Sequence, residues 1–133
     1  MKINYRMKIN YKTCWTLIGG IALGAAMVHG LHAQAKPPTY VVVAIRKIND
    51  AETFKTGVVD KAKPELLAAA GGKYVIRTQD IKPLDGTPPQ RFILLAFDSS
   101  EKALAWHNSA ATIDLDSARI KSTDSVSFMV DGM

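Results

Sequence analysis

The stretch Arg91–Ser109, RFILLAFDSSEKALAWHNS, decides how this chain folds. Phe92 to Asp98 is almost wholly apolar. Ile93, Leu95 and Phe97 fall on one side of a strand, and Phe92, Leu94 and Ala96 on the other. A strand covered on both faces has this composition. Asp98 stands where a side chain can accept from the first N–H groups of a helix, and Glu101, three residues on, gives capping-box spacing. The helix that follows carries one large anchor, Trp106. Ala103, Trp106 or His107, and Ala110 have the spacing of one helical face. A buried strand, a capped turn and an anchored helix form the centre of a small α+β domain.

Upstream, Tyr40–Ile48 (YVVVAIRKI) is β-branched and bounded by polar residues, which predicts a first strand. Asn49 with Glu52 has the spacing of a helix start, and Phe54, Val58, Ala62 and Leu66 form an inward stripe at successive i+4 steps. The helix is expected over 51–70, with a kink or break just before Pro64. Gly71 suits the left-handed position at its end. Lys73–Ile81 is a second strand, with Tyr74, Ile76 and Thr78 on one side and Val75, Arg77 and Gln79 on the other. Residues 82–90 are a loop turning at Asp85-Gly86. Downstream, 111–121 reads as a weaker helical piece and Val126–Val130 as a last strand. The order β-α-β-β-α-β is the ferredoxin-like pattern, a four-stranded antiparallel sheet with both helices on one face. Strand three is apolar on both sides, so a lone subunit would leave one apolar set in water. Such a surface marks a partner or a ligand, and the expectation is a homodimer through the sheet face.

The first 35 residues differ in kind. Lys2, Arg6, Lys8 and Lys12 precede an apolar, small-residue run of about 19 residues, then Ala33-Gln34-Ala35. Basic region, apolar region and A-x-A site together make a secretory signal peptide, cleaved near Ala35, with the mature domain from 36 to 133. The product would be secreted or periplasmic. An uncleaved leader would instead be a membrane anchor, since the run approaches the roughly 20 residues of a span. Of 17 basic residues those four lie in the leader, leaving 13 against 12 acids, a net of about +1. A near-neutral domain lacks the electrostatic footprint of a nucleic-acid binder. The single cysteine, Cys14, and two of the three histidines, His29 and His32, also fall in the leader. Disulfides, thiolate catalysis and Cys/His zinc sites are thereby excluded from the mature domain.

From Tyr40 to Gly132 the chain resembles the domain-of-unknown-function 1330 family of the dimeric α/β barrel superfamily. The matching segments are Asp50-Ala51-Glu52-Thr53-Phe54, Gly71-Gly72-Lys73-Tyr74-Val75-Ile76-Arg77 and Leu84-Asp85-Gly86. Arg91, Ala103-Leu104-Ala105-Trp106-His107-Asn108-Ser109, Arg119 and Val130-Asp131-Gly132 complete the set. The resemblance implies a ferredoxin-like dimer with a cleft between sheet and helices, and no established activity. The superfamily includes cofactor-free monooxygenases, isomerases and haem enzymes, so fold alone does not choose among them. This chain departs from the family's usual pattern at three places: Ala96 stands for a glutamate, Thr78 for a glycine and Thr112 for a tyrosine. A catalytic role for that glutamate would be lost here.

Five residues are candidates for a ligand site, each with a plainer role beside it. Arg77 can clamp a carboxylate through its guanidinium, or make an edge or interface ion pair. Trp106 can line a pocket or serve as core anchor, and Tyr74 can stack on a ligand or simply pack. Arg119 can close the cleft or pair with Asp114 or Asp116; those two acids read as a solvated helix end and fall short of a cation site. Asn108 follows on the Trp106 helix. His107 is the one weak catalytic candidate, as a general base, against a surface or interface role. Gly71-Gly72 ends a helix instead of opening one and is not a phosphate loop.

Three functional classes follow. The first is a non-catalytic homodimer binding a small ligand in the sheet–helix cleft. The second is a cofactor-free enzyme on a small aromatic or carbonyl substrate, using His107, Arg77 and Tyr74. The third is a protein-interaction module. None requires a metal or cofactor.

Overall fold

The computed structural model describes residues 36–133. The expected leader and cleavage site, with Cys14, His29 and His32, lie outside the described residues. The elements are β1 (Thr39–Ile48), α1 (Ala51–Phe54) continuing as a π-helical turn (Lys55–Val59), α2 (Pro64–Ala69), β2 (Gly72–Thr78), β3 (Arg91–Phe97), α3 (Ser100–His107), α4 (Ala110–Ser122) and β4 (Thr123–Asp131). The four strands form one antiparallel sheet in the order β2-β3-β1-β4. This is the expected α+β, ferredoxin-like βαββαβ arrangement. Each expected helix is two pieces, and the piece after Trp106's helix is a full 13-residue helix. β2 stops at Thr78, short of Ile81, and β4 reaches both ways beyond Val126–Val130.

The helices cover one sheet face. Val41, Val43 and Ile45 of β1 and Leu95 and Phe97 of β3 meet Phe54, Val58, Leu67 and Ala103 in one core. Burying a side chain of this size contributes roughly 1.5–3 kcal/mol. The π-helical turn closes with Asp60 N–H donating to Lys55 O at 2.9 Å. At Gly57 a Cβ would come within 2.5 Å of Ala118 Cβ, so glycine is what lets this turn lie against α4. The chain then breaks before Pro64, as expected, and Gly71 takes φ +79° after α2.

Three local expectations are corrected. The cap of α3 is Ser99, not Asp98: its extended backbone puts its hydroxyl on Lys102 N–H at 3.2 Å, while Asp98 pairs with Lys102 Nζ at 3.0 Å. Likewise Asp50, not Asn49, caps α1 and accepts from Thr53 N–H at 3.0 Å. In both places two capping residues stand side by side, and only the one directly before the first helical residue has the reach. The i+4 stripe also fails at its end. Leu66 is 57% exposed and Leu67 is buried, because the π-helical turn and the break before Pro64 shift the helical phase.

A fourth correction bears on function. Tyr74 pairs with Leu95 but Ile76 with Leu94, so Val75 is an extra residue in β2. A bulge of this kind reverses the alternation beyond it. Arg77 therefore sits opposite Ile93, on the same face as Tyr74, and its guanidinium carbon lies 5.4 Å from the Tyr74 ring centre.

Candidate functional site

Between the helices and the sheet lies a cavity of about 470 Å³. Its floor is Val43 and Ile45 of β1, Ile93 and Leu95 of β3, and Tyr74 of β2. Its walls come from the turn after the π-helical segment, from α2, and from the α3–α4 corner. Trp106 stands at that corner, with its ring 5.4 Å from that of Phe97. Ser109 holds the corner: its hydroxyl donates to Trp106 O at 2.7 Å and accepts from Thr112 N–H at 3.4 Å. A cavity of this size with mostly apolar walls and a few polar groups is suited to a small organic molecule.

One polar cluster borders it. Arg119 on α4 is 6% exposed. Its Nε donates to Asp116 Oδ1 at 3.1 Å and its Nη1 to Ser125 Oγ at 2.6 Å. Asp116 Oδ2 lies 3.4 Å from His107 Nδ1. A buried guanidinium is held by a carboxylate and a hydroxyl, as a buried charge must be. Asp116 and Arg119 also border a second hollow of about 370 Å³, lined by His107, Ser127 and Phe128. The pair thus stands between the two spaces. The reading of Asp114 and Asp116 as a solvated helix end is corrected: both lie inside α4, Asp114 is exposed, and the Asp116 side chain is only 18% exposed.

The candidate residues are distributed as follows. Tyr74, Trp106 and Arg119 line the large cavity. Arg77 lines a third hollow of about 460 Å³ with Tyr74 and Arg91. His107 lines neither space that Tyr74 lines, so His107, Arg77 and Tyr74 are not gathered around one substrate position. Asn108 is exposed and lines none of the three. Ser109 and Thr112 were not singled out as site residues, whereas pairing with Asp116 was one of the roles expected of Arg119 and is the one observed. The available signal was spacing: Ser109 to Thr112 and Asp116 to Arg119 are both i, i+3 pairs. Among the described residues no group of three or more His, Cys, Asp or Glu could hold a metal ion, and no helix is long and apolar enough to cross a membrane.

Several solved structures share this fold. A protein of unknown function from Rhodopseudomonas palustris aligns with a TM-score of 0.57 at 14% identity, over 81% of this chain and 92% of its own. A putative antibiotic biosynthesis monooxygenase from Caulobacter crescentus aligns with a TM-score of 0.51 at 13% identity, over 79% and 98%. A dimeric protein of unknown function with a ferredoxin-like fold, from Bacteroides fragilis, aligns with a TM-score of 0.46 at 9% identity, over 71% and 96%. At such identities the first two likenesses show the fold alone. No curated protein matches the chain. The family described as Domain of unknown function (DUF1330) matches over residues 38–133, the whole of the sheet and its helices, and the chain belongs to that family.

Proposed function

We propose that this protein is an exported, non-catalytic homodimer that binds a small, largely apolar molecule between its sheet and its helices. The observation that carries the reading is the cavity of about 470 Å³ with Tyr74 and Trp106 in its lining and the Asp116–Arg119 pair at its border. The separation of His107 from the spaces that Arg77 and Tyr74 line supports a binding role over a catalytic one. The open sheet face supports the dimer: Phe128 is 50% exposed and Val130 45%. Export rests on the leader and its Ala33-Gln34-Ala35 site.

Calorimetric titration of the full chain with 2-naphthylmethanol, a neutral aryl probe, tests the reading. Saturable binding at one site per chain is expected, and it is lost in Ala62→Phe, which fills the cavity from the turn before Pro64. Absence of saturable binding, or equal binding by the filled variant, would remove the cavity as the site.

A further inference from the structure

The charges around the cavity are unequal in sign. Lys61, Lys63, Lys102 and Arg119 line it, against the single acid Asp116. Two of the cations are already answered. Arg119 is paired with Asp116 at 3.1 Å, and Lys102 with Asp98 at 3.0 Å. Lys61 and Lys63 are left, and neither makes an ion pair among the described residues. Both sit in the short turn between the π-helical segment and α2, and both are exposed while lining the cavity, which places them at its rim. Asp60, next to Lys61 in the chain, is exposed and does not line the cavity.

An apolar space with two unanswered cations at its rim suits a molecule of matching polarity. We infer that the ligand is an aryl carboxylic acid, its flat body inside the cavity with Tyr74 and Trp106 and its carboxylate at the rim with Lys61 and Lys63. The inference rests on the proposed binding role of the cavity and adds the chemical class. The neutralised Asp116–Arg119 pair sets the other limit. Its charges cancel in place, so the pair offers an incoming anion no net attraction. Rim lysines attract the anion while leaving it partly hydrated, which avoids the cost of burying a bare carboxylate. The arrangement also predicts salt sensitivity, since exposed charges are screened over about 8–10 Å at physiological ionic strength.

Three probes with one ring system separate the possibilities: 2-naphthoate, 2-naphthylmethanol and 2-naphthylmethylamine, titrated calorimetrically into the full chain. The acid is expected to bind about five-fold tighter than the alcohol, the scale set by two exposed ion pairs, and the amine more weakly than either. In K61Q/K63Q the acid's advantage over the alcohol disappears. In 0.5 M salt the advantage shrinks in the unaltered chain. Equal binding of all three probes would overturn the acid assignment and leave the cavity standing as a neutral site. An acid preference that survives K61Q/K63Q would overturn the assignment to these lysines. No binding of any probe would overturn the cavity reading and this inference together.

Discussion

On the helix side of the sheet, Ile45 is fully buried and Phe97 is 1% exposed. On the opposite side, Val42 and Ala96 of the two central strands are sheltered, yet Val126, Phe128 and Val130 of β4 and Ile76 of β2 are exposed. Register puts Val42 opposite both Leu94 and Phe128, so these belong to one continuous apolar face. The two faces carry the same kind of side chain and differ in what covers them. Helix cover gives a core, and because the first helical layer is broken into α1, a π-helical turn and α2, it also gives a cavity. The uncovered face has the composition of a core without its second layer, which is the physical case for a second copy.

Substitutions that remove equal apolar bulk from each face should have unequal effects. Phe97→Ala is expected to cost about 3–5 kcal/mol, because Leu67 and Trp106 cannot collapse into the space it leaves. Denaturant unfolding measures this directly. Phe128→Ala should cost far less in an isolated subunit. A similar loss at both positions, measured at concentrations where the protein is monomeric, would erase the distinction between the faces.

The next largest effect is expected in assembly. Phe128→Glu places a charge on the β4 side of the open face. It should raise the dimer dissociation constant at least about ten-fold, the consequence of an unpaired charge in an apolar interface. Light scattering across micromolar concentrations reads the change, with far-ultraviolet circular dichroism reporting an intact fold. A mass of one chain for the unaltered protein at those concentrations would remove the dimer.

How much of this was legible in the sequence differs between the two halves of the domain. β3 declared itself, since Phe92–Phe97 is apolar on both sides and lies at the centre of the sheet beside β1. The break before Pro64 and the glycine after α2 were legible too, because proline and glycine act through their own backbones. The bulge at Val75 was not. Nothing in Tyr74-Val75-Ile76-Arg77 marks it, and one extra residue was enough to move Arg77 to the Tyr74 side. The π-helical turn escaped for a similar reason, as its wider ring is favoured by the close approach of Gly57 to Ala118, a tertiary contact. Tyr74, Trp106 and Arg119 could be picked as residue types, but the cavity that joins them depends on these shifts of register and phase.

A smaller effect sharpens the picture of the cavity wall. Ser109 caps α4 and ties it to Trp106 O. Ser109→Ala should cost about 1 kcal/mol, the usual worth of a cap, and Ser109→Asp should recover most of it. If the α3–α4 corner shapes the cavity, the alanine variant also loosens aryl-probe binding by a few fold. Unchanged binding with reduced stability would confine Ser109 to a capping role.

The smallest effect concerns Asp50, which opens the first segment of the helical layer. Its carboxylate accepts from the Thr53 hydroxyl at 2.6 Å and from Thr53 N–H at 3.0 Å. Those bonds, the hydroxyl's first, hold its carboxyl below the ordinary value of 3.8. A carboxyl whose folded value is depressed contributes stability above its unfolded value, and loses it as pH falls through the folded one. Thr53→Val removes the hydroxyl and keeps the N–H, so the Asp50 midpoint followed by NMR should rise toward 3.8 without reaching it. The stability gap between the two proteins should be present at neutral pH and close on acidification below both midpoints. Asp50 starts the covering layer and is not on the open face, so the mass of the assembly in solution should not change between pH 7 and pH 5. An unmoved midpoint in the variant would mean that the cap draws its strength from the backbone alone.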